Sequence, residues 1–192
     1  MYPRLLLGAT LLLAACATPP PHETESVSTG PAAATSTAPV PTSVERRRVF
    51  SNPAAPDVFR LEIEGDSLLN ASALLTISTA AGQEIYRQTL PPGTLEATLV
   101  YALSPDEEPT PARREAYVRE RLTEFFDEGN FVSPAVSPGA AYHPGLVTAA
   151  EWRTLQQPGT VGFSFIVGKE DGYRLAWLPG QRRVVRFAGF GG

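Results

Sequence analysis

Four stretches in the middle of the chain alternate apolar and polar residues with a period of two. In VFRLEIEG, Phe59, Leu61 and Ile63 share one face, and Arg60, Glu62 and Glu64 share the other. Ala73, Leu75 and Ile77 line one face of ALLTIST. Gly82 supplies a turn, and EIYRQTL follows as the return strand of a hairpin. Pro91, Pro92 and Gly93 interrupt the pattern, which resumes through Leu95, Ala97, Leu99, Tyr101 and Leu103 and predicts one more strand. A period of two with one polar face predicts half-buried antiparallel strands rather than fully buried parallel ones.

The period then changes. Thr110 is a fair N-cap, and Pro111 sits in the first turn, where a missing N–H costs nothing. ARREAYVRERLTEFFDEG places Val118, Leu122, Phe125 and Phe126 on one face, with Arg113, Arg114, Glu120 and Glu124 around the rest. This predicts a helix ended by Gly129, whose charged surface reads as a solvated face rather than as paired catalytic carboxylates. Its Val118, Leu122 and Phe125 face is expected to pack on a sheet formed partly by Phe163, Phe165 and Trp177.

From residue 130 to 147 the chain shows three prolines and no period. Loops of that length inside a domain are uncommon and often functional. Thr148 and Glu151 then form the T-x-x-E pattern of a capping box, predicting a short helix through Trp152 and Leu155 that stops at Pro158 and Gly159. A three-stranded meander follows. Val161, Phe163, Phe165 and Val167 share a face, Asp171-Gly172 signals a hairpin, and Tyr173, Leu175 and Trp177 form the next strand. Pro179-Gly180 turns into Val185 and Phe187. The predicted class is α+β, with about seven mostly antiparallel strands packed against one main helix plus a short helix. The folded region is expected to be a single domain over 49–192.

Composition changes this picture little. Apolar residues make up 43 % of the 192 positions, enough for a packed core. The net charge of −4 gives no global attraction to nucleic acid, which is not expected as a partner. The charge is uneven: residues 49–128 hold 14 acids and 6 bases, and residues 129–192 hold 3 acids and 6 bases. Mutual complementation of the two halves across one sheet is the simplest reading. A single cysteine makes no internal disulfide.

That cysteine closes the opening segment. Arg4 supplies a positive charge, and Leu5 to Leu13 supply an apolar run shorter than the roughly 20 residues of a membrane span. Leu13-Ala14-Ala15-Cys16 follows. This resembles the lipobox of bacterial lipoproteins: an aliphatic residue, two small residues, then cysteine. The resemblance implies a signal peptide over 1–15, lipidation of Cys16 and cleavage before it. Multiple acyl chains would anchor the protein stably, since one chain alone is marginal. Ala17 follows Cys16, which under the familiar lipoprotein sorting scheme implies the outer membrane, facing the periplasm. Residues 16–48 are dominated by Pro, Ser, Thr and Ala and end in Arg46, Arg47 and Arg48. They read as the lipidated cysteine and a disordered tether, too polar to offset the entropy of ordering.

Chemistry-bearing motifs are scarce. AGFGG near the C-terminal end precedes no helix, and no HExxH or Cys/His cluster is present, so neither a metal nor another cofactor is expected. A Ser-His-Asp set would have to combine His143 with Ser133 or Ser137, neither of which lies in a nucleophile elbow. The strongest candidate surface is Tyr142 and His143, followed by Trp152 and Arg153. Aromatics and a histidine on an irregular loop suit binding. The favoured alternative is that Tyr142 and Trp152 pin the loop to the core. The functional expectation is a lipid-anchored envelope protein, held to the membrane through acyl chains on Cys16, whose domain binds an envelope protein partner without catalysis. An envelope hydrolase acting on cell-wall or glycan substrate is the alternative.

Overall fold

The computed structural model describes residues 43–191, which fall within one compact unit. Two antiparallel four-stranded meanders are present. The first comprises β1 (Ser43–Arg48), β2 (Asp57–Glu64), β3 (Ser72–Ser78) and β4 (Glu84–Leu90), in that spatial order. The second comprises β5 (Phe131–Val132), β6 (Gly162–Ile166), β7 (Gly172–Leu178) and β8 (Arg183–Phe190). Helix α1 (Pro111–Glu124) joins the two halves, and α2 (Ala149–Leu155) precedes β6. The class is α+β, with eight strands among the described residues.

Register explains the first sheet. Phe59 pairs with Ile77, Leu61 with Leu75 and Ile63 with Ala73. Directly opposed residues project to the same side, so the period-two apolar positions form one continuous face. Phe59, Leu61, Leu75 and Ile77 are completely buried. They pack against the inner face of the second sheet, where Phe163 pairs with Leu175 and Phe165 with Tyr173. Val118 and Leu122 of α1, with Phe125 and Phe126 just past its end, complete this core. Phe163 sits at its centre, with ring centroids 5.3 Å from Phe59, 5.7 Å from Phe126, 4.8 Å from Phe131 and 5.4 Å from Phe165. Phe125 packs on Phe163 and Phe165 as expected, and Val118 and Leu122 belong to the same cluster, with Trp177 at its margin.

A second core lies on the outer face of the second sheet. Ala176, Leu178, Val185 and Phe187 pack there against Leu155 of α2 and against Ala135, Val136 and Val147. Both helices start as predicted. The Thr110 hydroxyl accepts from the Arg113 N–H at 3.2 Å. In the capping box, Thr148 Oγ1 accepts from the Glu151 N–H at 3.2 Å, and the Glu151 carboxylate accepts from the Thr148 N–H at 2.6 Å.

Several expectations are overturned. Residues 43–48, assigned to the tether, form β1, with Ser43 opposite Glu62 and Arg48 opposite Asp57. The domain therefore begins before residue 49. Main-chain pairing holds this polar strand, aided by Arg48, which contacts Glu128 at 2.7 Å and lies over the Phe131 ring. The alternating stretch after Gly93 is not a strand but two short 3-10 turns, Thr94–Glu96 and Leu99–Ala102. Gly93, at φ +83°, redirects the chain, and α1 captures it. Arg114 forms a two-pronged pair with Glu96 at 2.6 and 2.8 Å, and the hydroxyls of Thr98 and Tyr117 meet at 2.8 Å. These tertiary contacts override a weak local period. Helix α1 ends at Glu124 rather than Gly129, because Asn130 Nδ2 donates to the free carbonyls of Glu124 and Phe125. The charged halves do not complement each other across one sheet. Each has its own sheet, and no ion pair among the described residues joins the 49–128 segment to the 129–192 segment.

Candidate functional site

The second core covers only part of the outer face of the second sheet. Beyond its edge lies an open groove of about 470 Å³. Its floor contains one cross-strand row, in which Ser164 of β6 is in register with Arg174 of β7, and Arg174 with Ala188 of β8. The next row pairs Gly172 with Phe190. A Cβ at position 172 would lie 1.9 Å from the Phe190 ring, so the absence of a side chain is what lets the ring reach over position 172. The Arg174 guanidinium stands 5.7 Å from the centre of that ring.

One wall is built by the segment after β5 and by Trp152 of α2. It is firmly braced. Gln156 Nε2 lies within 3.1–3.2 Å of the carbonyls of Ser137, Pro138 and Ala140. The Trp152 indole N–H donates to the Ala140 carbonyl at 3.3 Å, and the Val136 N–H donates to the Leu155 carbonyl at 3.0 Å. Thr160 Oγ1 accepts from the Ala135 N–H at 3.1 Å. The wall thus spends most of its polar groups internally and presents Trp152 to the groove, beside Phe187 of β8. Arg174 is the one charged residue among those lining it, and it makes no ion pair with the described residues. An apolar trough with a few convergent polar groups has the character of a ligand site.

The residues singled out from sequence are dispersed around this feature. Trp152 lines the groove. Tyr142 stands behind it, half-buried and edge-on to Trp152 at 6.1 Å, and its hydroxyl donates to the Val147 carbonyl at 3.0 Å. It pins the loop. His143 and Arg153 are exposed and do not line the groove. Ser133 donates its hydroxyl to the Thr160 carbonyl at 2.9 Å rather than to His143. Sequence reasoning passed over Ser164, Arg174 and Phe190. Arg174 reads as an ordinary solvent-facing position between Tyr173 and Leu175. The available signal was Gly172, a glycine placed by the hairpin opposite an aromatic.

A second cavity of about 490 Å³ opens beside Asp57, Trp177 and Arg182. Asp57 is fully buried, yet both carboxylate oxygens are engaged, one by the Ser51 N–H at 2.5 Å and the other by the Ser51 hydroxyl at 2.8 Å. That arrangement ties down the β1–β2 connection and leaves no free acid. Among the described residues, no three His, Cys, Asp or Glu side chains converge as metal ligands, and no helix is long and apolar enough to cross a membrane. The lipobox and Cys16 lie outside the described residues. Compared with models of known families, with curated proteins and with solved structures, the chain matches none.

Proposed function

We propose that this chain is a lipid-anchored cell-envelope protein whose folded domain is a non-catalytic binding module, with the groove beside Trp152 as its binding surface. The observation that supports the module is the braced, mostly apolar trough with an unpaired cation in its floor. A pre-formed wall keeps the entropy lost on binding small. The anchor rests on Leu13-Ala14-Ala15-Cys16. Together they describe a domain held at the periplasmic face of the outer membrane, presenting its groove to an envelope protein.

Two experiments test the proposal. Cys16→Ser should move the protein from the detergent phase to the aqueous phase on membrane fractionation; unchanged partitioning refutes the anchor. For the groove, a photoreactive amino acid replaces Ala140 at its rim or, as control, Arg60 on the first sheet. Irradiated cells should yield a discrete adduct from position 140 that Ala188→Trp, which fills the trough, abolishes. Equal labelling from both positions, or none from position 140, refutes the binding surface.

A further inference from the structure

We infer that the groove recognises a peptide segment in which one carboxylate stands beside apolar residues, and that Arg174 and Ser164 receive that carboxylate. This deepens the binding-module reading and rests on it. Ser164 and Arg174 are directly opposed in register, so hydroxyl and guanidinium project side by side from the same face. Neither bonds to a side chain among the described residues, and both line the groove. The Arg174 guanidinium instead lies over the Phe190 ring, and its N–H groups make no bond to a side chain among the described residues. One cation and one hydroxyl match a single carboxylate in charge and in donor count. A dianionic phosphate would keep an uncompensated charge in a lining without a second base.

The rest of the lining argues for a peptide. Ser137 and Ser164, whose hydroxyls bond to nothing among the described residues, line the trough together with Trp152, Phe187 and Phe190. A peptide brings both polar main-chain groups and apolar side chains to such a mixed lining, whereas an acyl chain would set hydrocarbon against the serines. Ala188, on the other side of Arg174 from Ser164, is small and keeps the floor open for a side chain.

The test uses the full chain carrying Cys16→Ser, so that acyl chains do not compete for the groove. Three probes are titrated into it and followed by heteronuclear NMR: acetyl-Pro-Leu-Phe with a free C-terminal carboxylate, the same peptide as its amide, and decanoate. The free acid should bind at least about tenfold more tightly than the amide, the usual scale of a charge-assisted bond. Its shifts should centre on Ser164, Arg174 and Phe190, and its affinity should fall with added salt. Arg174→Gln, at an exposed position, should remove the acid's advantage and leave the amide unchanged. Equal binding of acid and amide at the groove overturns the inference while leaving the binding module intact. So does decanoate binding more tightly than the acid, which would make the site one for amphiphiles. Absence of binding by the acid, with the position 140 adduct still formed, also overturns the inference alone; loss of both signals overturns the module as well.

Discussion

Phe163→Ala is the sharpest test of how the two sheets are held together. Phe163 is completely buried and has five phenylalanine rings within 6.1 Å: Phe59, Phe125, Phe126, Phe131 and Phe165. Those rings come from β2, the end of α1, β5 and β6, so the truncation opens a cavity where all these elements meet. A buried Phe→Ala change costs about 3–5 kcal/mol, and aromatic pairs add about 0.5–1.5 kcal/mol each without being additive. The upper end is therefore expected here, against a total stability of about 5–15 kcal/mol for a domain. At about 2–4 °C per kcal/mol for a chain of this size, the melting midpoint should fall by roughly 10–20 °C. The urea midpoint should fall by more than about 1 M with an unchanged slope. Phe190→Ala is the companion measurement: it removes a ring of equal size that is only half-buried and lies on the open part of the sheet. It should cost much less. A loss below about 1 kcal/mol in Phe163→Ala, or equal losses in the two variants, would refute the assignment of the inter-sheet core.

Two further outcomes concern pH. Hydrogen bonds from the Thr148 backbone, from Gln181 and from the Thr148 hydroxyl, with Arg183 nearby, hold the Glu151 carboxyl below the usual range. Its stabilising contribution is therefore present above the unfolded value near 4 and is lost as pH falls through the lower folded value. Glu151→Gln, which can still cap α2, should be less stable than the parent at pH 7, and chemical denaturation should show that gap narrowing as the pH falls below the usual carboxylate range. Burial pushes the Tyr86 hydroxyl up to about 12; Arg186 opposes the shift and Tyr173 adds to it. The neutral form is favoured in the fold, so this contribution is intact below pH 10 and is lost between pH 10 and 12. Ultraviolet titration should show a late-ionising tyrosine that Tyr86→Phe removes, together with a shallower alkaline loss of stability.

Elements whose burial is decided by their own side chains were legible in the sequence. β2 and β3 place every second residue in the core, and the caps of α1 and α2 depend on residues three positions apart. β1 was not legible, because a strand reading SVERRR is held by a main-chain ladder and by contacts with Glu128 and Phe131, both far along the chain. The stretch after Gly93 misled for the related reason that Glu96 and Thr98 are claimed by α1. At the groove, Trp152 was visible as an aromatic near an irregular loop. Arg174 was not, since its distinguishing property is the lack of an acidic neighbour among residues that strand pairing brings together.

The second sheet carries two duties on opposite faces, and their separation bears on how a groove persists without endangering the fold. Its inner face supplies Phe163, Phe165 and Leu175 to the main core, so its position is fixed whether or not anything binds outside. Its outer face is divided: α2 and the braced loop cover Ala176, Leu178, Val185 and Phe187, and the remainder is open. An exposed apolar strip on a sheet invites non-specific association. Here that tendency is checked by two local devices. The Phe190 ring folds over Gly172, and the Arg174 guanidinium stands over the ring and places a charge on the open floor. The same cation that discourages an apolar surface lacking a negative charge favours a ligand that carries one. Substitutions at Arg174 should therefore alter what binds without altering the fold, whereas changes to Gln156 should loosen the wall and impair binding through geometry rather than charge. The chemistry of the site and its shape are held by different residues, and the two effects can be measured apart.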